Sequence, residues 1–218
     1  MARQRTSSRF ADYDISVFVN CPFDSTYKPI FDGIVFAVIL CGFRARCAFE
    51  IDDGGQTRIE KIFQIMEECR YGIHDLSRTE LDAANNLPRF NMPLELGMFL
   101  GVKRGGEKLQ RRKLCLVLDR EPFRYQQFVS DIAGQDIRAH GAELKRVAGA
   151  IRDWLATGSK RVLPGGLEIC RQFEAFIQEL PAWCERLQLQ PEELTFADYT
   201  NFVTEWLKGR LPKPGPDA

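Results

Sequence analysis

"DISVFVNCPFDSTYKPIFDGIVFAVILCGFRARCAF", Asp14 to Phe49, decides the fold. It opens on a short β-rich run, "DISVFV", which stops at the Pro-containing turn "NCPFD". A long apolar helix, "YKPIFDGIVFAVILCG", follows and is closed by Gly42. "FRARCAF" then alternates in the manner of a strand and runs into "EIDDGG", whose Asp and Gly residues make a loop. Strand, helix and strand in this order predict a right-handed βαβ unit, hence a parallel sheet.

The same rhythm continues. "QTRIEKIFQIMEECR" carries Ile59, Ile62, Phe63, Ile65 and Met66 at helical spacing, and "YGIHDL" is the next strand. "SRTELDAANNLPRFN" reads as a long polar loop, followed by a helix from about Pro93 to Val102. "KLCLVLD" is the clearest strand. "YQQFVSDIAG" and "AELKRVAGAIRDWLA" read as helices on either side of a short extended piece, "QDIRAH". The expected fold is α/β, a flavodoxin-like five-stranded parallel sheet of order 2-1-3-4-5, covered by helices on both faces. After "TGSKRVLPGG" the β signal ends. "LEICRQFEAFIQELPAWCERLQL" and "TFADYTNFVTEWLKG" predict a C-terminal helical appendage. The divisions expected are a disordered tail at 1–11, an α/β domain at 12–157, the appendage at 158–211 and a second tail at 212–218.

Composition narrows the function classes. The 218 residues carry 30 basic and 30 acidic side chains, a balance that argues against nucleic acid or an anionic membrane as partner. The longest apolar run, "IVFAVILCGF", is about half of what a membrane-spanning helix needs. The N-terminus lacks the apolar core of a secretion signal. Seven cysteines without C-x-x-C pairs read as buried reduced thiols of a cytoplasmic protein, and two histidines without ligand-spaced partners argue against zinc.

In an open α/β sheet, ligands bind beyond the C-terminal ends of the strands, where the strand order reverses. For order 2-1-3-4-5 that point lies between the first and third strands. The first strand delivers Asn20, Pro22, Phe23 and Asp24 there; the third delivers Asp75 and Ser77. "LPRFNMPLELGMFLG", Leu87 to Gly101, then sets Asn91, Met92 and Glu95 at the start of the next helix, with Met92, Leu96 and Phe99 as its packing face. Two readings of Glu95 stay open. A carboxylate in a first turn stabilises the helix dipole by roughly 0.3–1 kcal/mol, with Pro93 at the first position and Asn91 as a candidate cap. Alternatively, Glu95 is placed for chemistry. Asp75 could likewise only cap a turn through the amides of Ser77 and Arg78. His74 reads as a packed strand residue.

Other features have plain readings. "KRGGEKLQRRK", Lys103 to Lys113, is a solvated basic loop. Arg44 or Arg46 could pair with Asp52 or Asp53, or hold a substrate phosphate. "DDGG" lacks the spaced acids of an EF-hand.

The strand ending in Asn-Cys-Pro-Phe-Asp, the strand ending in Asp75 and the helix opening Met-Pro-Leu-Glu-Leu-Gly together resemble the nucleoside 2-deoxyribosyltransferase-like fold and its relatives, the prokaryotic TIR and TIR-like domains. The resemblance covers about residues 12–157. It implies a glutamate, here Glu95, that attacks or stabilises the anomeric carbon of a ribose, and an acid, here Asp75, that holds the sugar or protonates the leaving base. It implies that Pro22 and Phe23 lie against base or sugar, and that "EIDDGG" is the mobile loop that covers the pocket and joins protomers. The chain departs from the TIR pattern in lacking Ser and Trp-Cys before the glutamate, where "RFNMP" stands instead. A long charged loop also separates Asp75 from Glu95.

The implied activity is cleavage or transfer of an N-glycosidic bond of NAD+ or a related nucleotide, needing no cofactor or metal, in the setting of bacterial antiphage defence. One ionised carboxylate near an oxocarbenium-like carbon is a sufficient toolkit. A non-catalytic nucleotide-binding sensor or signalling module is the alternative. A third possibility is an assembly adaptor, forming homo-oligomers or binding a partner protein through the loop at 50–55 and the helical appendage.

Overall fold

The computed structural model describes residues 9–81 and 86–210. Five parallel strands form one sheet: β1 (Ser16–Asn20), β2 (Arg44–Arg46), β3 (Tyr71–Asp75), β4 (Leu114–Asp119) and β5 (Ile137–Ala139). Their order is β2-β1-β3-β4-β5, as the sequence pattern predicts. Among the described residues six helices accompany them: α1 (Lys28–Leu40), α2 (Arg58–Glu67), α3 (Asn91–Gly105), α4 (Leu144–Ser159), α5 (Gly166–Arg186) and α6 (Phe196–Arg210).

The pleat sorts the core into two layers. Side chains alternate across a strand, so Val17, Val19, Tyr71, Ile73, Leu116 and Leu118 face α1 and α4. Phe18, between two of them, faces the opposite way and joins Ile62, Ile65 and Met66 of α2 and Phe99 of α3. Gly72 belongs to this second face. A Cβ there would stand 2.6 Å from Phe99 Cζ, so glycine is what lets α3 approach β3. Both faces are thus covered.

The last two helices extend the first layer. Phe36 of α1 is surrounded by Phe173, Phe176 and Trp206, at ring separations of 5.4, 5.5 and 5.9 Å. The segment read as an appendage shares one hydrophobic core with the sheet. Gly149 of α4 and Gly166 of α5 make the crossing close: a Cβ on Gly166 would lie 3.0 Å from Gly149 Cα.

Several local expectations change. "YQQFVSDIAG" is no helix but two short 3₁₀ turns, Arg124–Gln127 and Ser130–Ile132. Tyr125 is pulled into the core beside Leu96 and Val117, while the Arg124 guanidinium turns back onto Asp119, 2.6 Å away, so the chain cannot keep one apolar helical face. Strand "FRARCAF" shrinks to Arg44–Arg46. Arg46 pairs with Glu50 (2.7 Å) and Glu68 (2.8 Å), and Arg44 with Asp12 and Glu50, rather than with Asp52 or Asp53.

"KRGGEKLQRRK" is not a solvated loop throughout: its first residues end α3, and Lys113 is buried. The Lys113 ammonium donates to the Met66 carbonyl at 2.5 Å and to that of Cys69, satisfying the C-terminal end of α2. Burial lowers its pKa to about 8. Arg9, within the expected tail, pairs with Glu67 and Glu68, both at 2.9 Å. The rest of that tail up to residue 8, and the tail at 212–218, lie outside the described residues.

All seven cysteines are free thiols. Among the described residues no helix is long and apolar enough to cross a membrane, and no group of three or more metal-ligating side chains is present.

Candidate active site

The reversal of strand order between β1 and β3 is bridged by one side chain. Asn20, the last residue of β1, donates from Nδ2 to the Met92 carbonyl at 3.0 Å and meets His74 Nδ1 at 3.0 Å. It therefore joins β1, β3 and the first turn of α3. Because the amide donates to Nδ1, the neutral imidazole carries its proton on Nε2. Burial, and then the Lys113 charge, hold the His74 pKa at about 3. With Phe18 and Phe99 rings 5.9 and 4.9 Å away, His74 is a packed strand residue.

Glu95 is where the structure departs most from the capping reading. The helix begins at Asn91, with Phe90 as its N-cap and no side-chain cap bond, so Asn91 is not the cap. Glu95 accordingly lies in the second turn, beyond the free amides that a first-turn carboxylate would meet. It is 5% exposed, and its Oε2 is buried without a hydrogen-bond partner. Burial raises its pKa to about 7, opposed by the charge of Arg58. A carboxylate oxygen buried without a partner is costly to the fold.

The neighbourhood of Glu95 can be traced through charge and ring contacts. Burial lifts the Cys21 thiol well above its ordinary range, and the charges of Asp75, Cys47 and Glu95 add to this. Cys21 thus stands within electrostatic reach of both carboxylates. Arg58, whose charge acts on Glu95, sits 5.6 Å above the Phe49 ring, and Phe49 packs on Phe23 at 4.3 Å. Arg58 is thus the cation whose field reaches the buried acid, and its guanidinium lies over an aromatic pair. Pro22, before Phe23, is buried.

Asp75 has a different character. It is fully buried, and both oxygens are occupied. Oδ1 accepts from the Ser77 amide at 2.8 Å; Oδ2 accepts from the Tyr27 hydroxyl and lies 3.0 Å from His140 Nε2. Burial pushes its pKa up, but the His140, Ser77 and Tyr27 hydrogen bonds win and hold it below the ordinary value. Asp75 is a fixed anion, unsuited to giving up a proton at neutral pH.

Ser77 Oγ lies 2.8 Å from the same His140 nitrogen. Serine, histidine and aspartate here do not form a nucleophilic triad. In a triad the acid and the serine take opposite ring nitrogens, whereas here both meet Nε2, and Nδ1 accepts from the Ala142 amide at 3.0 Å. Asp24 is likewise structural. It accepts from the Thr26 and Tyr27 amides, both at 3.1 Å, and from Arg78 at 3.1 Å, which sets the start of α1.

Of the residues expected from sequence, Asn20 and Met92 are in direct contact, Asp75 and Ser77 form one network, and Phe23 leads through Phe49 and Arg58 to Glu95. Asn91 is exposed and outside these contacts. Sequence reasoning missed Tyr27 and His140, which lie 48 and 65 positions from Asp75. The one available signal was that His140 follows β5 at the same sheet edge. Asp119, at the end of β4, was missed as well. It is fully buried, bonded to Arg124, and leaves Oδ2 without a partner.

The chain matches no protein-family model, and no curated protein or solved structure is significantly similar to it.

Proposed function

We propose that the protein cleaves or transfers the N-glycosidic bond of NAD+ or a related nucleotide, with Glu95 as the carboxylate that attacks or stabilises the ribosyl carbon. The observation that carries this is Glu95 itself: a buried carboxyl one turn after the Asn20–Met92 bridge at the strand-order reversal, with one oxygen that has no hydrogen-bond partner among the described residues. An ion in so dry a place acts on a developing positive carbon far more strongly than in water. Its pKa of about 7 leaves a substantial ionised fraction at neutral pH, and a cationic substrate increases that fraction.

Asp75 favours one kind of leaving group. A neutral base departs best when protonated, and Asp75 is held ionised and fully engaged. A base that leaves from an already cationic ring, as nicotinamide does from NAD+, needs no such acid. NAD+ is therefore preferred to ordinary nucleosides in this proposal. NAD+ depletion in antiphage defence is its biological setting, and self-association through the exposed loop at 50–55 belongs to the same proposal. A strictly monomeric protein across a wide concentration range removes the latter.

Incubation of the full chain with NAD+ and, separately, with nucleosides, followed by chromatography for released base, tests the activity. Release by the wild type that persists in Glu95→Ala sinks the mechanism. The near-complete burial of Glu95 favours one other reading, a nucleotide sensor without turnover. Saturable binding with no product over hours selects it.

A further inference from the structure

A cavity borders the Phe23–Phe49 pair. It is a cleft open to solvent on one side, of about 150 Å3, between α1, the turn after β2 and the start of α6, and Phe23, Phe31, Phe49 and Phe196 form its apolar walls. That volume is similar to an engineered protein cavity that takes up benzene. The rings run as a chain: Phe49 on Phe23 at 4.3 Å, Phe23 on Phe31 at 5.3 Å, and Phe31 near Phe196 at 6.2 Å.

Two charged groups, Asp32 and Lys28, line the cavity. Asp32 is 9% exposed and accepts one hydrogen bond, from Lys28 Nζ at 2.7 Å. Among the described residues its Oδ1 has no donor. Lys28 is about half exposed, with its ammonium 5.7 Å above the Tyr199 ring.

The cavity is preformed. Tyr199 donates its hydroxyl to the Asp32 carbonyl at 3.0 Å, pinning α6 to α1. Thr195 and Asp198 cap each other ahead of α6, with Asp198 Oδ2 2.6 Å from Thr195 Oγ1, which fixes the position of Phe196. An apolar slot with one open acceptor on its wall and one cation at its side has the composition of a small-molecule site.

We propose that this cavity is a subsite for a planar heteroaromatic base bearing an exocyclic amino group, as in an adenine nucleotide: the ring lies against the phenylalanines, the amino group donates to Asp32 Oδ1, and Lys28 meets the phosphate. The choice of a nucleotide rests on the function proposed above. The cage would hold the base distal to the bond that Glu95 attacks. Its walls come partly from Phe196 and Tyr199 of α6, outside the segment that carries the family resemblance.

Calorimetric titration of the full chain with AMP and with IMP, which lacks the amino group, tests the subsite without requiring turnover. AMP is expected to bind, with IMP at least tenfold weaker, because IMP sets a carbonyl oxygen instead of an amino donor against the Asp32 carboxylate. Phe196→Ala is expected to weaken AMP by about 5- to 100-fold, the range for loss of one base–aromatic stack. Thermal melting monitors folding. If Phe196→Ala unfolds, Phe49→Ala, at a ring 49% exposed, replaces it. Absent AMP binding at millimolar concentration, equal affinity for AMP and IMP, or undiminished affinity in the folded variant each overturns the subsite. AMP binding that depends on Phe196, together with no base release from NAD+, keeps the subsite and removes the glycosidase. Glu95-dependent release with no AMP binding does the reverse.

Discussion

His140 Nε2 lies 3.0 Å from Asp75 Oδ2, and neither group reaches water. The pair ties the end of β3 to the segment that follows β5, so the far strand is anchored at the edge where the candidate site lies. Asp75 has a folded pKa below its ordinary value. Its ionised form therefore stabilises the fold, a contribution complete above the unfolded value of about 3.9 and lost as the pH falls through the folded one. Asp75→Asn should cost about 3 kcal/mol at pH 7, and the gap to wild type should narrow from pH 7 toward pH 2. Urea titrations at several pH values measure this; a gap independent of pH removes the role assigned to the carboxylate charge.

Glu95 should show the opposite sign. Its folded pKa, about 7, is raised by burial above the unfolded value, so between roughly pH 4.5 and 7 the folded state binds more protons. Stability falls across that window and levels off above it. Glu95→Gln should therefore be more stable than wild type at pH 8, by about 3 kcal/mol, and nearly equal to it at pH 4. Thermal melts at the two pH values give the comparison. A variant less stable than wild type at pH 8 contradicts the dry, unpartnered setting.

The same group predicts a pH profile for the proposed activity. If ionised Glu95 does the chemistry, kcat/KM for NAD+ should rise about tenfold per pH unit below pH 7 and flatten above it, reporting the free protein. A flat profile from pH 5 to 9 excludes Glu95 as the group that sets the rate.

Gly72→Ala tests the second core layer. The added Cβ would stand 2.6 Å from Phe99 Cζ and 2.8 Å from His74 Nε2. Overpacking of this kind costs about 1–3 kcal/mol, and it should shift α3, and Glu95 with it. Denaturant midpoints show the loss; Phe99→Leu in the same chain should recover part of it, and failure to recover would place the strain elsewhere.

Trp206 measures how far the last helices belong to the sheet's core. It is 2% exposed, packs on Phe36 and Phe176, and donates to Glu179 Oε2 at 2.9 Å. Trp206→Ala should destabilise the whole chain by about 3–5 kcal/mol in a single transition. Two separate unfolding transitions, with only the weaker one displaced, would show that α5 and α6 form their own unit.

The sheet was legible in the sequence because its signals are local. Val17, Val19, Leu116 and Leu118 sit in short β-branched or apolar runs separated by helices of the right length, and few topologies accommodate them. The address of Glu95 was legible for the same reason. Its environment was not. Pro93 suggested a helix starting there, but the chain enters the helix two residues earlier at Asn91, which carries Glu95 past the capping positions. The partners of Asp75 escaped notice because Tyr27 and His140 are near it only after the sheet has formed. Tyr125 misled in another way: it opens a helix-like pattern, and burial of its ring beside Leu96 and Val117, with Arg124 turned onto Asp119, bends the chain into short turns instead.

The packing of Phe36 also bears on how the chain is made. Its neighbours Phe173, Phe176 and Trp206 are synthesised long after α1, which ends at Leu40. At about 5–20 residues per second, ribosomes need roughly 10–30 s to travel from the end of α1 to the end of α6. Throughout that interval α1 lacks its outer cover. The core around Phe36 closes only when the final helix brings Trp206.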